Sequence, residues 1–406
     1  MSTESTLRRY FDNAATSHPK PAAVVKAMRD YFVRVHASAG RGTYRESLES
    51  ARILDACRAA LRALFHCRAG DHVIFTFNGT DGLNLAIKGA VRPGDHVVTT
   101  CLDHNSVLRP LSALQERAGV SWTAVDVDPA TTRLDPAALA AALRPNTRLV
   151  VVNHASNVTG VVQPIAAVAD ICRGRGVLLL VDAAQSAGHW PLDFAELGLD
   201  LLACPGHKGL LGPLGTGVLL IRAGVEERLQ TVREGGTGSD SERPVQPDAL
   251  PDRFEAGSHN AVGLAGLLAA VQWINALGLP ALHQHEAKLC ERMIERLARI
   301  PRLCWYGPRD VEQRVGVFSV RIEGLEPADV SALLEARRGI LTRSGLHCAP
   351  RAHEAIGTLA HGGTTRLSFG PFVTEADVDA AADALQELVQ TPVHVAGAAA
   401  AVITGD

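Results

Sequence analysis

Between positions 71 and 222 the chain repeats one unit: a short apolar run of β type, a turn carrying Gly, Asn or Ser, then a helical pattern. Parallel strands need a crossover long enough to hold a helix, so this alternation predicts βαβ units and a parallel sheet. The runs are 72–77, 96–100, 122–127, 149–153, 177–181, 201–204 and 217–221. The run 177–181 is apolar at every position, as a strand covered on both faces must be, and is expected mid-sheet. Gly-Asp-His-Val precedes two runs (70–73 and 94–97), but two copies of a strand entry do not make a repeat architecture.

The segment 235–251, rich in Gly, Ser, Glu and Pro, predicts an irregular surface stretch. Two helical patterns, 261–277 and 280–300, are divided by Gly278, and beyond them short strands alternate with short helices. The last helix opens on Thr374 as N-cap with Asp377 three positions on, and Val378, Ala381, Ala382, Leu385, Leu388 and Val389 fit a 3.6-residue period. The expected division is an α/β large domain over 21–279 with a mostly parallel seven-stranded sheet, and a smaller α+β domain from 1–20 and 280–390. A loose tail is expected over 391–406.

With 406 residues, 47% apolar and 20% charged, the chain has the makeup of a globular enzyme. A net charge of -3 supplies no basic field, which disfavours nucleic acid and anionic membrane surfaces as partners. The first 17 residues lack the apolar core of a secretory signal and no later window is an unbroken spanning run, so a cytoplasmic location is expected. Eight cysteines without a C-x-x-C pair argue for reduced thiols, with neither a disulfide framework nor a structural zinc site.

In an open parallel sheet, ligands sit outside the carboxyl ends of the strands. Five polar stretches follow the apolar runs: 78–82, 103–106, 154–157, 182–185 and 206–208. The first, NGTDG, opens a helical pattern at 83–88 and could seat a phosphate, although a strand-to-helix turn needs small residues in any case. Neither a Walker loop nor a dinucleotide fingerprint is present. Asp182 ends the most buried strand and needs a cationic partner to stay ionised. Lys208, in a Gly-rich loop between strands, would have its amine pKa lowered by desolvation and could attack carbonyls. An aldehyde cofactor with a phosphate and a protonatable ring nitrogen, pyridoxal 5'-phosphate, would use all three features.

The motifs FDNAATS, LDHNS, HASNVTG, VDAAQ, GHK, FEAGSHN, RSGLHCAP and TTRLSFG together resemble the class V pyridoxal-phosphate enzymes, most nearly the cysteine desulfurases and their selenocysteine-lyase-like relatives. The resemblance covers nearly the whole chain and implies the fold type I of pyridoxal-phosphate transferases. It implies that Lys208 holds the cofactor as a Schiff base, Asp182 pairs with the pyridine nitrogen and Gln185 bonds the phenolic oxygen. His104 would stack on the ring and move protons, and Asn157 would contact the cofactor oxygen or the substrate carboxylate. Thr80 and His207 would meet the phosphate, with Asp81 beside them in the cofactor set. Ser258 would reach the phosphate of a neighbouring subunit, implying a homodimer. Arg366 would grip the substrate carboxylate as a bidentate fork, with Arg343 also on the substrate side. The family usually has Ser or Thr before GHK where this chain has Pro205, so phosphate affinity would rest more on Thr80, His207 and main-chain donors.

RSGLHCAP resembles the segment that carries the sulfur-accepting cysteine of the shorter-loop desulfurases, which makes Cys348 the candidate nucleophile. A free thiol, with a pKa of about 8.5, needs a nearby cation or base to attack as thiolate. Arg343 and His347 are near in sequence, though neighbours on an extended segment face opposite ways. Cys57, Cys172 and Cys290 lie in helical patterns and are assigned to the core. The reading is a cysteine desulfurase that converts L-cysteine to L-alanine, leaves a persulfide on Cys348 and passes the sulfur to an acceptor protein or small thiol. Alternatives are a selenocysteine lyase, another class V reaction (aminotransferase, racemase or lyase), and a non-catalytic sulfur-carrier scaffold supported only by Pro205.

Overall fold

The structure, a computed structural model, describes residues 8–40 and 42–390; the tail expected at 391–406 lies outside them. The strands are β1 Arg9–Tyr10, β2 His72–Thr76, β3 His96–Thr100, β4 Ser121–Val125, β5 Thr147–Asn153, β6 Leu178–Asp182, β7 Leu201–Pro205, β8 Gly217–Ile221, β9 Leu303–Tyr306, β10 Val317–Ile322, β11 Ile340–Leu341, β12 Arg343–Gly345 and β13 Thr364–Ser368. Seven of them form one sheet in the order β2-β8-β7-β6-β5-β3-β4. Only β8 runs antiparallel to its neighbours. It returns from β7 through the helix-free loop 206–216, which reverses the chain beside the strand it leaves. The repeating unit also lapses between β6 and β7: the crossover 183–200 is made of turns alone, yet is long enough to keep the two strands parallel.

β6 is the central strand of the seven. Alternation along the strands fills both faces: Val150, Val152, Leu179 and Val181 enter one core, and Leu149, Val151, Leu178 and Leu180 the other. A separate core built on Phe11, Met293, Phe318, Leu367 and Leu385 lies under the four-stranded antiparallel sheet β12-β13-β10-β9. β1 pairs in parallel with β11, which ties the N-terminal segment to this second body.

Helices Ala261–Leu277 and Leu279–Leu297 meet at an angle of 81°, with Gly278 at φ 83° providing the left-handed break. Among the described residues no single helix is long and apolar enough to cross a membrane. The last helix, Glu375–Gln390, starts as its sequence predicts: the Asp377 main chain donates to Thr374 Oγ1 (3.2 Å), and the Thr374 main chain donates back to Asp377 Oδ2 (3.0 Å).

Candidate active site

The helix after β2 begins at Gly79 and runs to Ala90, so NGTDG forms its first turn where the sequence pattern placed the helix from 83. Asn78 is the cap, its Oδ1 accepting from the Asp81 main chain at 2.9 Å. Asp81 completes the cap by accepting from the Phe77 main chain (2.9 Å), and its other oxygen lies 3.4 Å from Arg233. That carboxylate is therefore engaged in helix initiation and takes no part in lining the cleft, unlike its neighbour Thr80. Thr80 Oγ1 lies 2.7 Å from Ser106 Oγ, which lies 2.8 Å from His104 Nδ1.

His104 caps the helix Asn105–Ala118, with Nδ1 accepting from the Ser106 main chain at 3.0 Å. That bond leaves the proton of the neutral ring on Nε2. Burial, then the charges of Lys208 and Arg343, lower its pKa to about 4. Asp182 closes β6, is 5% exposed, and accepts from the Ala184 main chain at 2.9 Å. Burial raises its pKa, while that bond and Lys208 pull the other way. The Lys208 amine is brought down to about 8 by burial, opposed by Asp182 and reinforced by Arg366 and Arg343.

Thr80, His104, Asn157, Asp182, Gln185, His207 and Lys208 line one cleft at the carboxyl ends of β2, β3, β5, β6 and β7. Gln185 donates through Nε2 to the Ala14 carbonyl (3.0 Å). The His207 carbonyl accepts from Lys20 Nζ (2.8 Å), and Lys20, half-buried, has its own amine lowered to about 8 by desolvation.

The donor set fits pyridoxal 5'-phosphate. Among the described residues, His207 Nδ1 and Asn153 Oδ1 are buried in the cleft wall without hydrogen-bond partners, and buried polar atoms of that kind await a ligand or water. The helix starting at Gly79 presents main-chain N–H groups and its positive dipole end to the same space. The buried Asp182 carboxylate is placed to hold a cationic ring nitrogen, and the low-pKa amine of Lys208 to join an aldehyde. Pro205 offers the phosphate no hydroxyl; its ring lies where a Cβ on Gly79 would come within 3.2 Å of it.

A second cluster lies beside the cleft, near enough for Arg366, Arg343 and Cys348 to act on the Lys208 amine. β12 and β13 pair with Arg343 directly opposite Arg366. Arg366, 1% exposed, donates to Asp12 Oδ1 (2.8 Å) and to the Asn157 carbonyl (3.2 Å), and its Nε has no partner among the described residues. Arg343 Nη2 lies 3.6 Å from Cys348 Sγ, and that cysteine is exposed. His347, by contrast, is buried against Thr364 Oγ1 (3.0 Å), and burial followed by Arg366 pushes its pKa down to about 2. The cation beside the thiol is thus Arg343, and His347 faces inward; the two residues lie in a turn with left-handed backbones, so it is this turn and not the alternation of an extended segment that separates His347 from Cys348.

Ser258 does not join this cleft. It lines a separate hollow with Phe77, Arg233 and Gly215. Cys57, Cys172 and Cys290 are buried in helices, as assigned. The sequence reading left out Asp12, Ser106 and Asn153. Asp12 was visible in FDNAATS, but only a tertiary contact across 354 positions gives it a partner in Arg366. Ser106 stands two residues after His104, where a helix cap predicts a main-chain donor.

A model of the family Aminotransferase class-V matches residues 9–381. The chain belongs to this family. Among its curated members, a probable cysteine desulfurase of Methanothermobacter thermautotrophicus is 35% identical over 382 residues, 93% of this chain and 94% of the relative. A cysteine desulfurase of Serratia proteamaculans is 31% identical over 353 residues, covering 84% of each. Among solved structures, the apo cysteine desulfurase of Thermococcus onnurineus superposes with a TM-score of 0.86 at 33% identity over 94% of both chains. A cysteine desulfurase of Escherichia coli gives 0.81 at 26% identity, again over 94% of both. As a member of the class V family the chain has the fold type I architecture and depends on pyridoxal phosphate.

Proposed function

We propose that this class V enzyme is a cysteine desulfurase, releasing L-alanine from L-cysteine and keeping the sulfur as a persulfide on Cys348. The observation that carries the reading is the exposed Cys348 thiol, 3.6 Å from Arg343 and close enough to Lys208 for both to act on that amine. A thiol with a guanidinium beside it and open access is a nucleophile, whereas the buried Cys57 and Cys172 thiols are pushed up to about 12 by desolvation.

Asp182, Gln185, His104 and Lys208 would hold pyridoxal phosphate, with Thr80, His207 and the helix start at Gly79 on its phosphate. When bound, that group supplies an electron sink for bonds to the substrate's carbon skeleton. Arg366, pre-aimed by Asp12, receives the substrate carboxylate, and the unpartnered Nε leaves it donor capacity. Lys208, with its amine near neutrality, takes and returns protons; His104, neutral with its proton on Nε2, is a second donor over the cleft. Cys348 attacks the substrate sulfur as thiolate: an S–S bond forms as the C–S bond breaks, and the carbon skeleton leaves as alanine after protonation.

The two-domain division at 21–279 against 1–20 and 280–390 is supported by the separate cores of the two sheets. A homodimer is supported by the placement of Ser258 in a hollow beside the exposed Phe77, and by exposed Val33 (70%) and Leu214 (67%). A thiol or protein acceptor would collect the sulfur at the exposed Cys348. A cytoplasmic location fits a chain whose described helices include none able to span a bilayer alone.

The test is an assay of alanine and protein persulfide from L-cysteine with wild type and Cys348→Ser. Persulfide should disappear and alanine release collapse in the variant. Unchanged alanine and sulfide release would remove Cys348 from the reaction, and keto-acid formation in place of alanine would replace the reading with transamination.

A further inference from the structure

Beside Lys208, sharing Ala184 and Gln185 with the cofactor cleft, lies a second hollow between the large sheet and the small body. Its wall holds a pair of ionisable groups that the proposed reaction does not use. His189 Nδ1 lies 2.8 Å from Glu286 Oε2, and only 22% and 13% of the two side chains reach open space. Burial alone would strip the imidazole of its proton. The Glu286 carboxylate and a main-chain bond to Gln185 outweigh it, hold His189 above its ordinary range, and leave Glu286 ionised.

Each end of the pair is anchored to a different body. Glu286 sits on the helix Leu279–Leu297, and its Oε1 accepts from the Gly316 main chain at 2.9 Å, one residue before β10. His189 follows the Asp182–Gln185 stretch, and its ring packs on Gly209, the residue after Lys208. A Cβ on Gly209 would fall 2.3 Å from the Ala187 carbonyl and 2.6 Å from His189 Cδ2. A Cβ on Gly188 would likewise fall 2.4 Å from the Gly209 carbonyl. The backbone that carries Lys208 therefore lies in a slot made by Ala187, Gly188 and the imidazole, and the imidazole is held by a carboxylate from the other body.

We propose that the His189–Glu286 ion pair is a positioning device for Lys208, fixing the Lys208–Gly209 main chain to the small body so that the amine stays aimed into the cleft. Glu286 sets the ring, the ring sets Gly209, and Gly209 sets the lysine. A cation at 189 is the required property, because Glu286 is already spent on Gly316 and needs a positive partner to stay ionised where it is. The proposal rests on Lys208 being the reactive amine.

The chain has only five lysines, so Lys208 can be followed individually, with the exposed Lys26 and Lys288 as references. Cofactor-free wild type, His189→Gln, His189→Lys and Glu286→Gln are labelled briefly with acetic anhydride, and each lysine is quantified by peptide mass spectrometry. In parallel, kcat and KM for L-cysteine are measured on the loaded enzymes. His189→Gln should change the labelling of Lys208 relative to Lys26 and Lys288 by roughly threefold or more, and lower kcat by about ten- to a hundredfold with little change in KM. His189→Lys, which restores the cation opposite Glu286, should recover most of both. If His189→Gln does not fold, the nearly isosteric Glu286→Gln carries the same expectation. Lys208 labelling and kcat unaltered in a folded variant, or no recovery with His189→Lys, would overturn the proposal. Turnover retained by Lys208→Ala would instead overturn the reading of Lys208 on which it rests.

Discussion

The Asn105 main-chain N–H, in the first turn of the helix capped by His104, donates to the Cys348 carbonyl at 2.8 Å. One residue earlier, Asn157 Nδ2 donates to the His347 carbonyl at 2.6 Å. His347 and Cys348 both have left-handed backbones, φ 49° and 59°, and each such non-glycine residue costs about 1–2 kcal/mol. The two bonds, from a helix start and a turn of the large domain, hold this strained pair, and with it the thiol, beside the cleft that Asn157 lines.

Asn157→Ala should therefore release the cysteine segment. We expect faster amide exchange at His347 to Ala349, and persulfide formation that falls more than initial substrate binding. Loss of a buried hydrogen bond predicts about 1–2 kcal/mol of destabilisation in denaturant titration. Exchange identical to wild type would show that the segment is held by other contacts.

Lys208 should titrate as an amine near pH 8 in the cofactor-free protein. Desolvation favours its neutral form, and the Asp182 carboxylate is the largest influence opposing this. Asp182→Asn must then lower the midpoint further, whereas an Arg366→Gln change, removing a cation, must raise it. The pH dependence of acetylation at Lys208 measures both shifts; a midpoint near the ordinary lysine value would contradict the burial of the amine. The linked stability effect has the matching sign: the folded chain holds fewer protons here than the unfolded one, so this contribution improves as pH rises from 8 towards 10.5.

Arg366 and Asp12 form an ion pair with side-chain exposures of 1% and 22%. Asp12→Ala leaves the guanidinium charge buried and uncompensated, which should cost about 3 kcal/mol, the low end for a broken buried pair because Asp12 keeps some water. The same variant should raise KM for L-cysteine, since Asp12 aims the fork. Arg366→Lys keeps the charge but loses the planar geometry, and should also act chiefly on KM. Effects of either variant confined to kcat would argue against a carboxylate subsite at Arg366.

Most of this arrangement was legible from local pattern. Seven apolar runs, separated by turns, gave all seven strands of the large sheet to within two residues, and Val177 to Val181 its centre. The residues that follow the runs, His104, Asp182 and Lys208, meet because parallel strands deliver their carboxyl ends to one edge. What local pattern could not carry was direction and distance. The reversal of β8 depends on a loop without a helix, the start of the helix at Gly79 on a cap that an apolar periodicity does not register, and the role of Asp12 on a partner near the other end of the chain. Asp81 was placed with the cofactor because of its neighbours in NGTDG, while its carboxylate is used by the helix cap.

Acid should unfold the protein in a window set by its buried histidines. His154, bonded to Ser186 Oγ at 2.9 Å, and His353, bonded to Thr358 Oγ1 at 2.7 Å, lie outside the cofactor cleft. Burial lowers both to about 4, with the charge of His189 adding to the effect at His154 and that of Arg366 at His353. Above pH 6.5 neither the folded nor the unfolded chain protonates them, and they contribute nothing to the pH dependence. Below it the unfolded chain takes up protons that the folded chain refuses, so stability falls from pH 6.5 towards 4, by up to about 1.4 kcal/mol per pH unit for each histidine. His189, raised by Glu286, works in the opposite sense, its contribution being present below pH 6.5 and lost as pH rises. Denaturant titrations at pH 7, 6 and 5 should show a steepening loss, reduced in His154→Asn and in His353→Asn. A stability that stayed flat over that range would mean that these imidazoles are not held neutral in the folded chain.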